Sequence, residues 1–413
     1  MSSDREIGLP APAPDALLHS ERLRLLIGER IGASGGWMSF ADYMQLALYA
    51  PGLGYYSAGA TKFGGQGDFV TAPMISPLFS RTCARRLSSW LTATGTDAVL
   101  EFGPGTGQFA VDALSVLAVP ESPLTRYALL EVSADLRARQ AELLKSQEWA
   151  SASRVIALDW LNELPRGFCG IVFANEVLDA LPCERFVVRG SEWWRLGVGL
   201  GASGLEWRVR PADGAAAGDA EFIAAATIRL KDLASRGQEL PEGYCGEWHP
   251  WLESWLNSLA AAIERGAVLI ADYGLPRRQL LHPDRKQGGL RCHYRHHAHG
   301  DPFVYPGLND ITTWVDFSAV AEAASQAGFE VTGFTTQAAF LLGSGIEREM
   351  QAMTSGLDPS SPGYLSLARG ARTLLLPGEM GESVKFMLLT KNLGEHELAD
   401  DPSFVFSDLR GSL

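Results

Sequence analysis

Apolar positions recur at helical spacing over residues 20–31, "SERLRLLIGERI", where Leu23, Leu26, Ile27 and Ile31 share a face and Ser20 stands where an N-cap belongs. "SFADYMQLALYA" predicts a second helix that stops at Pro51-Gly52. Residues 57–73, "SAGATKFGGQGDFVTAP", carry too many glycines for either period and read as a loop long enough to have a function. Residues 76–91 are helical again. From Asp97 the rhythm becomes strand–helix alternation. "AVLEFG", "RYALLEV", "SRVIALDW", "GIVFANEV" and "RGAVLIADYG" read as strands; "GQFAVDALSVLA" and "SADLRARQAELLKS" read as helices, the second capped by Ser133. Near-continuous apolar strands alternating with helices predict an α/β fold, a Rossmann-like parallel sheet covered on both faces.

Two stretches interrupt that rhythm. Residues 185–210 have hairpin-like β character, and 218–265 are largely helical; Trp248, Trp251 and Trp255 fall at helical spacing there and read as core. A His-, Arg- and Pro-rich region follows Asp272, and "FSAVAEAASQAGF" returns to helix. The organisation expected is a disordered tail over 1–20 and an N-terminal helical segment with the glycine-rich loop over 21–95. The core spans 96–275, with an inserted segment at about 200–262. A C-terminal part over 276–413 completes the sheet and forms a substrate lobe.

At 413 residues the chain exceeds what one hydrophobic core usually carries. With 35 basic against 48 acidic residues the net charge is -13, which argues against a nucleic-acid partner and mildly favours a basic one. The five cysteines (Cys83, Cys169, Cys183, Cys245 and Cys292) are odd in number, scattered and without a C-x-x-C, so a reducing, cytoplasmic setting is expected. The N-terminal stretch reads as neither a secretion signal nor a transit peptide, and no apolar run is long enough for membrane insertion.

The chemistry concentrates at "LEFGPGTGQ", Leu100 to Gln108, where a strand meets a glycine turn and a helix. A dinucleotide fold needs G-x-G-x-x-G, but Gln108 stands where its last glycine belongs; a P-loop needs a Lys that is absent. The pattern Glu101-x-Gly103-x-Gly105-x-Gly107 resembles motif I of class I S-adenosylmethionine methyltransferases. Glycines there let the backbone pass beneath the cofactor without a Cβ in the way. Glu131, 24 positions after Gly107 at the end of the next strand, suits two ribose hydroxyls, flanked by Val132 and Ser133. Asp159-Trp160 after the third strand would take the adenine amine and cover its ring.

"GDFVTAP", "LEFGPGTG", "ALLEVSADLRARQ", "FANEVLDALP", "ADYGLPRR" and "DITTWVDFSAV" follow in order from about Ser39 to Phe340 and together resemble the MidA family. Its mitochondrial members are methyltransferases that act as respiratory complex I assembly factors by dimethylating an arginine on a core subunit. The resemblance implies a class I methyltransferase sheet, S-adenosylmethionine as cofactor and an arginine-containing protein substrate, possibly a complex I-type subunit; a homodimer is compatible with it. It adds Thr71, Pro73 and Asn175 to the cofactor set. One position departs: Met74 stands where the family carries Glu after the proline.

Many amino methyltransferases end the fourth strand with Asn/Asp-Pro-Pro-aromatic. This chain has Asn175-Glu176-Val177-Leu178-Asp179. Carboxylates bind a guanidinium bidentately and can stabilise its charge while a proton leaves, so Glu176 and Asp179 are the candidate catalytic pair. The readings left beside this are a salt bridge for Glu176 and a helix cap for Asp179. Asp272-Tyr273, at the end of the next strand, either shape the acceptor pocket or serve capping and packing. The Cys292, His293, His296, His297 and His299 cluster lacks a partner segment at zinc-like spacing, so no metal is expected. Two other readings of the whole chain stay open: an assembly chaperone with a vestigial cofactor site, and a small-molecule methyltransferase.

Overall fold

The structure, a computed structural model, describes residues 8–57, 71–147, 156–190, 192–214, 216–394, 397–398 and 400–413. The loop expected over 57–73 lies mostly outside them. The chain divides into two compact units. The first is assembled from residues 1–69, 179–252 and 276–316, the second from 70–178, 253–275 and 317–413.

In the first unit, α1 (Pro14–Ala33) begins six residues before Ser20, inside the stretch expected to be a tail. The reason is local: Pro14 occupies the first helical turn, where its missing N–H goes unused, and Asp15 follows at the positive end of the helix. Ser20 is instead buried mid-helix beside Leu23, Ile27 and Ile31. The second helix, α2 (Phe40–Tyr49), is capped by Ser39, whose hydroxyl accepts the Asp42 N–H at 3.0 Å. A four-stranded antiparallel sheet follows, in the order 204–210, 192–201, 184–189, 245–248. Trp248 is buried in the core as expected, but at the end of a strand rather than on a helix, and Trp251 is 51% exposed, against the expectation of a core position; the run from 218 breaks at a strand. The histidine-rich stretch forms a small antiparallel sheet, with Cys292 paired to His299 and a two-residue turn at Arg295-His296.

The second unit holds the parallel sheet. Its strands are β1 (Ala98–Phe102), β2 (Arg126–Leu130), β3 (Ala157–Leu161), β4 (Phe168–Asn175), β5 (Ile263–Leu275), β6 (Glu330–Thr336) and β7 (Val384–Lys391). Their order is β6-β7-β5-β4-β1-β2-β3. The strands β1 to β5 pair in parallel, whereas β7 runs antiparallel to both β5 and β6. Four helices precede or join the first strands: α3 (Ala72–Ile75), α4 (Pro77–Thr94), α5 (Gln108–Leu117) and α6 (Ala134–Lys145). Ile171, Val172, Phe173 and Ala174 of β4 are fully buried, as an apolar run covered on both faces requires. Trp255, on the helix Leu252–Ala262, is half-buried and packs edge-on against Phe102, their ring centroids 5.4 Å apart. From β1 the chain winds outward through β2 and β3 and then returns to β4 on the other side. The switch point, where doubly wound sheets open a crevice, thus lies between the C-terminal ends of β1 and β4.

Among the described residues no helix is long and apolar enough to cross a membrane, and all five cysteines are free thiols.

Candidate active site

The glycine turn begins as β1 ends. Gly103 N–H donates to Leu130 O, extending the sheet ladder, and Gly107 N–H closes a turn onto Pro104 O at 2.8 Å before α5 starts. The three glycines meet different surroundings. A Cβ at Gly103 would lie 3.2 Å from Val177 Cγ2, and one at Gly107, where φ is 83°, would lie 3.2 Å from Gln140 Cγ. At Gly105, with φ 53°, a Cβ would point into open space. Only Gly105 therefore fits the expectation of a backbone left bare for a ligand. The other two make room for the protein's own side chains.

Glu131 stands one residue past β2 and is 7% exposed. Its Oε1 accepts the Ser133 N–H at 2.8 Å and its Oε2 accepts from Gln140 Nε2 at 3.3 Å. Burial pushes this carboxyl above its ordinary range, against the opposing pull of the Ser133 and Gln140 donors. A carboxylate offers about four lone-pair directions, so acceptor capacity remains for hydroxyls. Val132 beside it is 76% exposed. Ser133 also caps α6, accepting the Leu136 N–H. Asp159 lies within β3, its carboxylate engaged by Arg126 Nε at 2.6 Å; the acid expected to take the adenine amine is ion-paired. Trp160, next to it, donates its indole N–H to Gln140 Oε1 at 3.0 Å.

At the end of β4 the chain turns sharply. Glu176 has φ 53°, a region non-glycine residues seldom occupy, and its N–H donates to Ala271 O of β5 at 2.8 Å. Glu176 Oε1 accepts from the Ala72 N–H and Asn175 Nδ2, each at 3.4 Å. The turn therefore touches α3, which Thr71 precedes and Pro73 joins as a buried residue. Val177, next in sequence, closes on Gly103 as noted, so this acidic turn borders the glycine turn. Asp272 is fully buried. Its Oδ2 accepts the Val177 and Leu178 N–H groups at 3.1 and 2.7 Å, and its Oδ1 accepts the Tyr273 N–H. Of its two readings, this geometry favours capping over lining a pocket. Asp179 falls in the first unit, 4% exposed, where its charge acts on the buried Tyr49 and Tyr56 hydroxyls.

Residues 82–335 match the family described as "putative S-adenosyl-L-methionine-dependent methyltransferase". The mitochondrial protein arginine methyltransferase NDUFAF7 of Danio rerio is 31% identical over 393 residues, covering 88% of this chain and 86% of its own. Its human counterpart is 28% identical over 383 residues, covering 86% of this chain and 80% of its own. The crystal structure of "a COG1565 superfamily member and likely methyl transferase" from Burkholderia thailandensis, bound to S-adenosyl-homocysteine, has a TM-score of 0.87 and 41% identity. It covers 98% of this chain and all of that one. The chain belongs to this methyltransferase family. Its cofactor is S-adenosylmethionine, and the MidA-type resemblance of the sequence is confirmed. The residues present fit that group: bare backbone at Gly105, a buried carboxylate with acceptor capacity at Glu131 and an exposed apolar side chain at Val132.

Glu101, the acidic residue of the motif, lies on β1 and faces inward. It is 3% exposed, and its Oε2 accepts the Tyr127 hydroxyl at 2.6 Å. Burial pushes its carboxyl from 4.5 up to about 8, although the tyrosine bond pulls the other way. The unfolded carboxyl ionises near 4.5, so between that pH and about 8 the unfolded state binds fewer protons. This group's contribution to stability therefore falls as pH rises through that window and is level above it. Glu101→Gln removes the slope: its stability relative to wild type should rise between pH 5.5 and 7.5, by up to about 1.4 kcal/mol per pH unit. Urea unfolding at both pH values checks this; a constant gap would show an ionised Glu101.

Gln140 was not singled out from sequence, because a glutamine inside an amphipathic helix carries no distinguishing pattern. Among the described residues no group of three His, Cys, Asp or Glu could hold a metal ion.

Proposed function

We propose that this methyltransferase transfers methyl groups to arginine nitrogens of a protein, with a respiratory complex I-type subunit as the substrate class. The observation that carries the reading is the carboxylate of Glu176, held at the end of β4 on a turn that borders the glycine turn. When bound, the cofactor supplies an electrophilic methyl group on sulfur. The chain must supply an acceptor nitrogen in line with it and a home for the nitrogen's proton. Glu176 is suited to both tasks, since a carboxylate pairs with a guanidinium, aims one nitrogen and offsets the charge as the proton departs.

Cofactor binding is assigned to the glycine turn and its neighbours. Glu131 takes the ribose hydroxyls, Val132 and Trp160 flank the adenine, and the start of α5 faces the methionyl carboxylate. Thr71, Pro73 and Asn175 border the methionyl side. The net charge of -13 favours a basic protein segment as substrate. The relatives named as protein arginine methyltransferases support the same acceptor. A cytoplasmic site of action accompanies the reading, where free thiols persist.

Incubation of the protein with methyl-labelled S-adenosylmethionine and a lysate tests it. Label in a protein band that hydrolyses to methylarginine is the expected result. Label confined to small molecules overturns it. Cofactor binding with no transfer at all would favour an assembly chaperone, the reading to which Met74 points.

A further inference from the structure

Gln140 is fully buried on α6 and every polar atom of its amide is engaged. Its Nε2 donates to Gly105 O at 2.8 Å and to Glu131 Oε2 at 3.3 Å, and its Oε1 accepts the Trp160 indole N–H at 3.0 Å. The amide orientation is unambiguous, because a flip would set its oxygen against two acceptors and its NH2 against a donor. Ser133, which donates to the other oxygen of Glu131, lies seven residues earlier. Ser133 is the N-cap of α6 and donates through its backbone N–H, so the cap and the Gln140 side chain hold the carboxylate by its two oxygens. Gly107 has no Cβ where Gln140 Cγ would meet it at 3.2 Å, so this side chain also packs against the turn.

We propose that Gln140 is a positioning residue that locks the glycine turn to Glu131, so that the bare backbone at Gly105 and the ribose-binding carboxylate form one preorganised surface. The inference rests on reading Glu131 as the ribose ligand. A carboxylate held by fixed donors loses less freedom when hydroxyls bind, and a misplaced one loses affinity without losing charge. Gln140 touches no part of the cofactor in this scheme; it acts through Glu131 and the turn.

The test compares S-adenosylhomocysteine with its analogue lacking both ribose hydroxyls, by calorimetry on the full chain. Gln140→Met keeps the length and most of the volume but removes the donors. It should weaken S-adenosylhomocysteine about tenfold, the worth of a hydrogen bond to a charged group, and the analogue less than twofold. Equal losses for both ligands in Gln140→Met, or none, overturn the proposal, because a merely structural role does not distinguish ribose from deoxyribose. Glu131→Ala separates the two levels. It should lose about thirtyfold for S-adenosylhomocysteine alone. An unaffected Glu131→Ala removes the ribose reading and the proposal with it, whereas a thirtyfold loss there beside an unaffected Gln140→Met removes only the proposal. Where Met at position 140 compromises folding, Gln140→Glu carries the test: its preference for S-adenosylhomocysteine over the analogue should grow as pH falls and its carboxyl regains a proton to donate.

Discussion

Glu176→Gln should lower methyl transfer to an arginine peptide by about 100-fold or more while leaving S-adenosylmethionine affinity within about twofold. The substitution is chosen to spare the structure. Glu176 is held in the left-handed region by its own N–H bond to Ala271 O, and glutamine keeps that backbone. The amide oxygen still accepts from the Ala72 N–H and Asn175 Nδ2, the partners of Oε1. What disappears is the negative charge. A guanidinium is protonated at any working pH, so it must shed a proton as its nitrogen becomes methylated. A neutral amide neither pairs with the cation nor stabilises the charge that develops, whereas the proposed cofactor site lies at the turns after β1 and β2. Binding by calorimetry and turnover with labelled methyl donor, measured on one preparation, decide the matter. If both fall together, Glu176 is a cofactor ligand or a structural ion. If neither falls, the acceptor is held elsewhere. Backbone held in a sparsely populated conformation recurs at functional sites, which is why this strand end, rather than Asp179, carries the expectation.

The order of strand, glycine turn, helix, strand and acid was legible in the sequence because each piece is local. Leu100 to Gln108 and Glu131 need only their spacing to be read, and Ser133 announces its cap by position. The buried centre of β4, Ile171 to Ala174, was legible from its unbroken apolar run. The start of α1 was obscured because an Ala/Pro-rich stretch suggests a tail, although Pro at the first turn is compatible with a helix. Asp159 followed by Trp160 matched a pattern, but the pattern does not reveal Arg126 across the strand pair. Gln140 was beyond reach for a deeper reason. Its partners lie 35, 9 and 20 positions away on three different elements, and only the folded sheet brings them together. The first unit, drawn from three separated stretches, was hidden likewise: no composition shift marks residue 179 or 276.

The glycines of the turn look equivalent in sequence and are not so in space, and this permits a matched comparison. Gly105→Leu should abolish measurable cofactor binding, a loss of at least about 100-fold, while Gly95→Leu leaves affinity unchanged. Both glycines have positive φ, 53° and 60°, and at both an added Cβ meets nothing within 4 Å. Both substitutions therefore carry the same left-handed penalty, on the order of 1–2 kcal/mol of folding stability, and neither creates a clash at Cβ. They differ in what the open space is for. Gly95 ends α4 as its C-cap, in a turn where a side chain projects without consequence for the cofactor. Gly105 lies in the turn whose carbonyl Gln140 fixes, beside the crevice at the ends of β1 and β4, so in the proposed binding mode a leucine there occupies the volume assigned to the adenosyl group. Parallel urea titrations should show similar destabilisation for the two variants, and calorimetry with S-adenosylhomocysteine should separate them. If Gly105→Leu binds as wild type does, the cofactor lies on another side of the turn. If Gly95→Leu loses binding equally, the loss comes from instability alone and says nothing for the crevice.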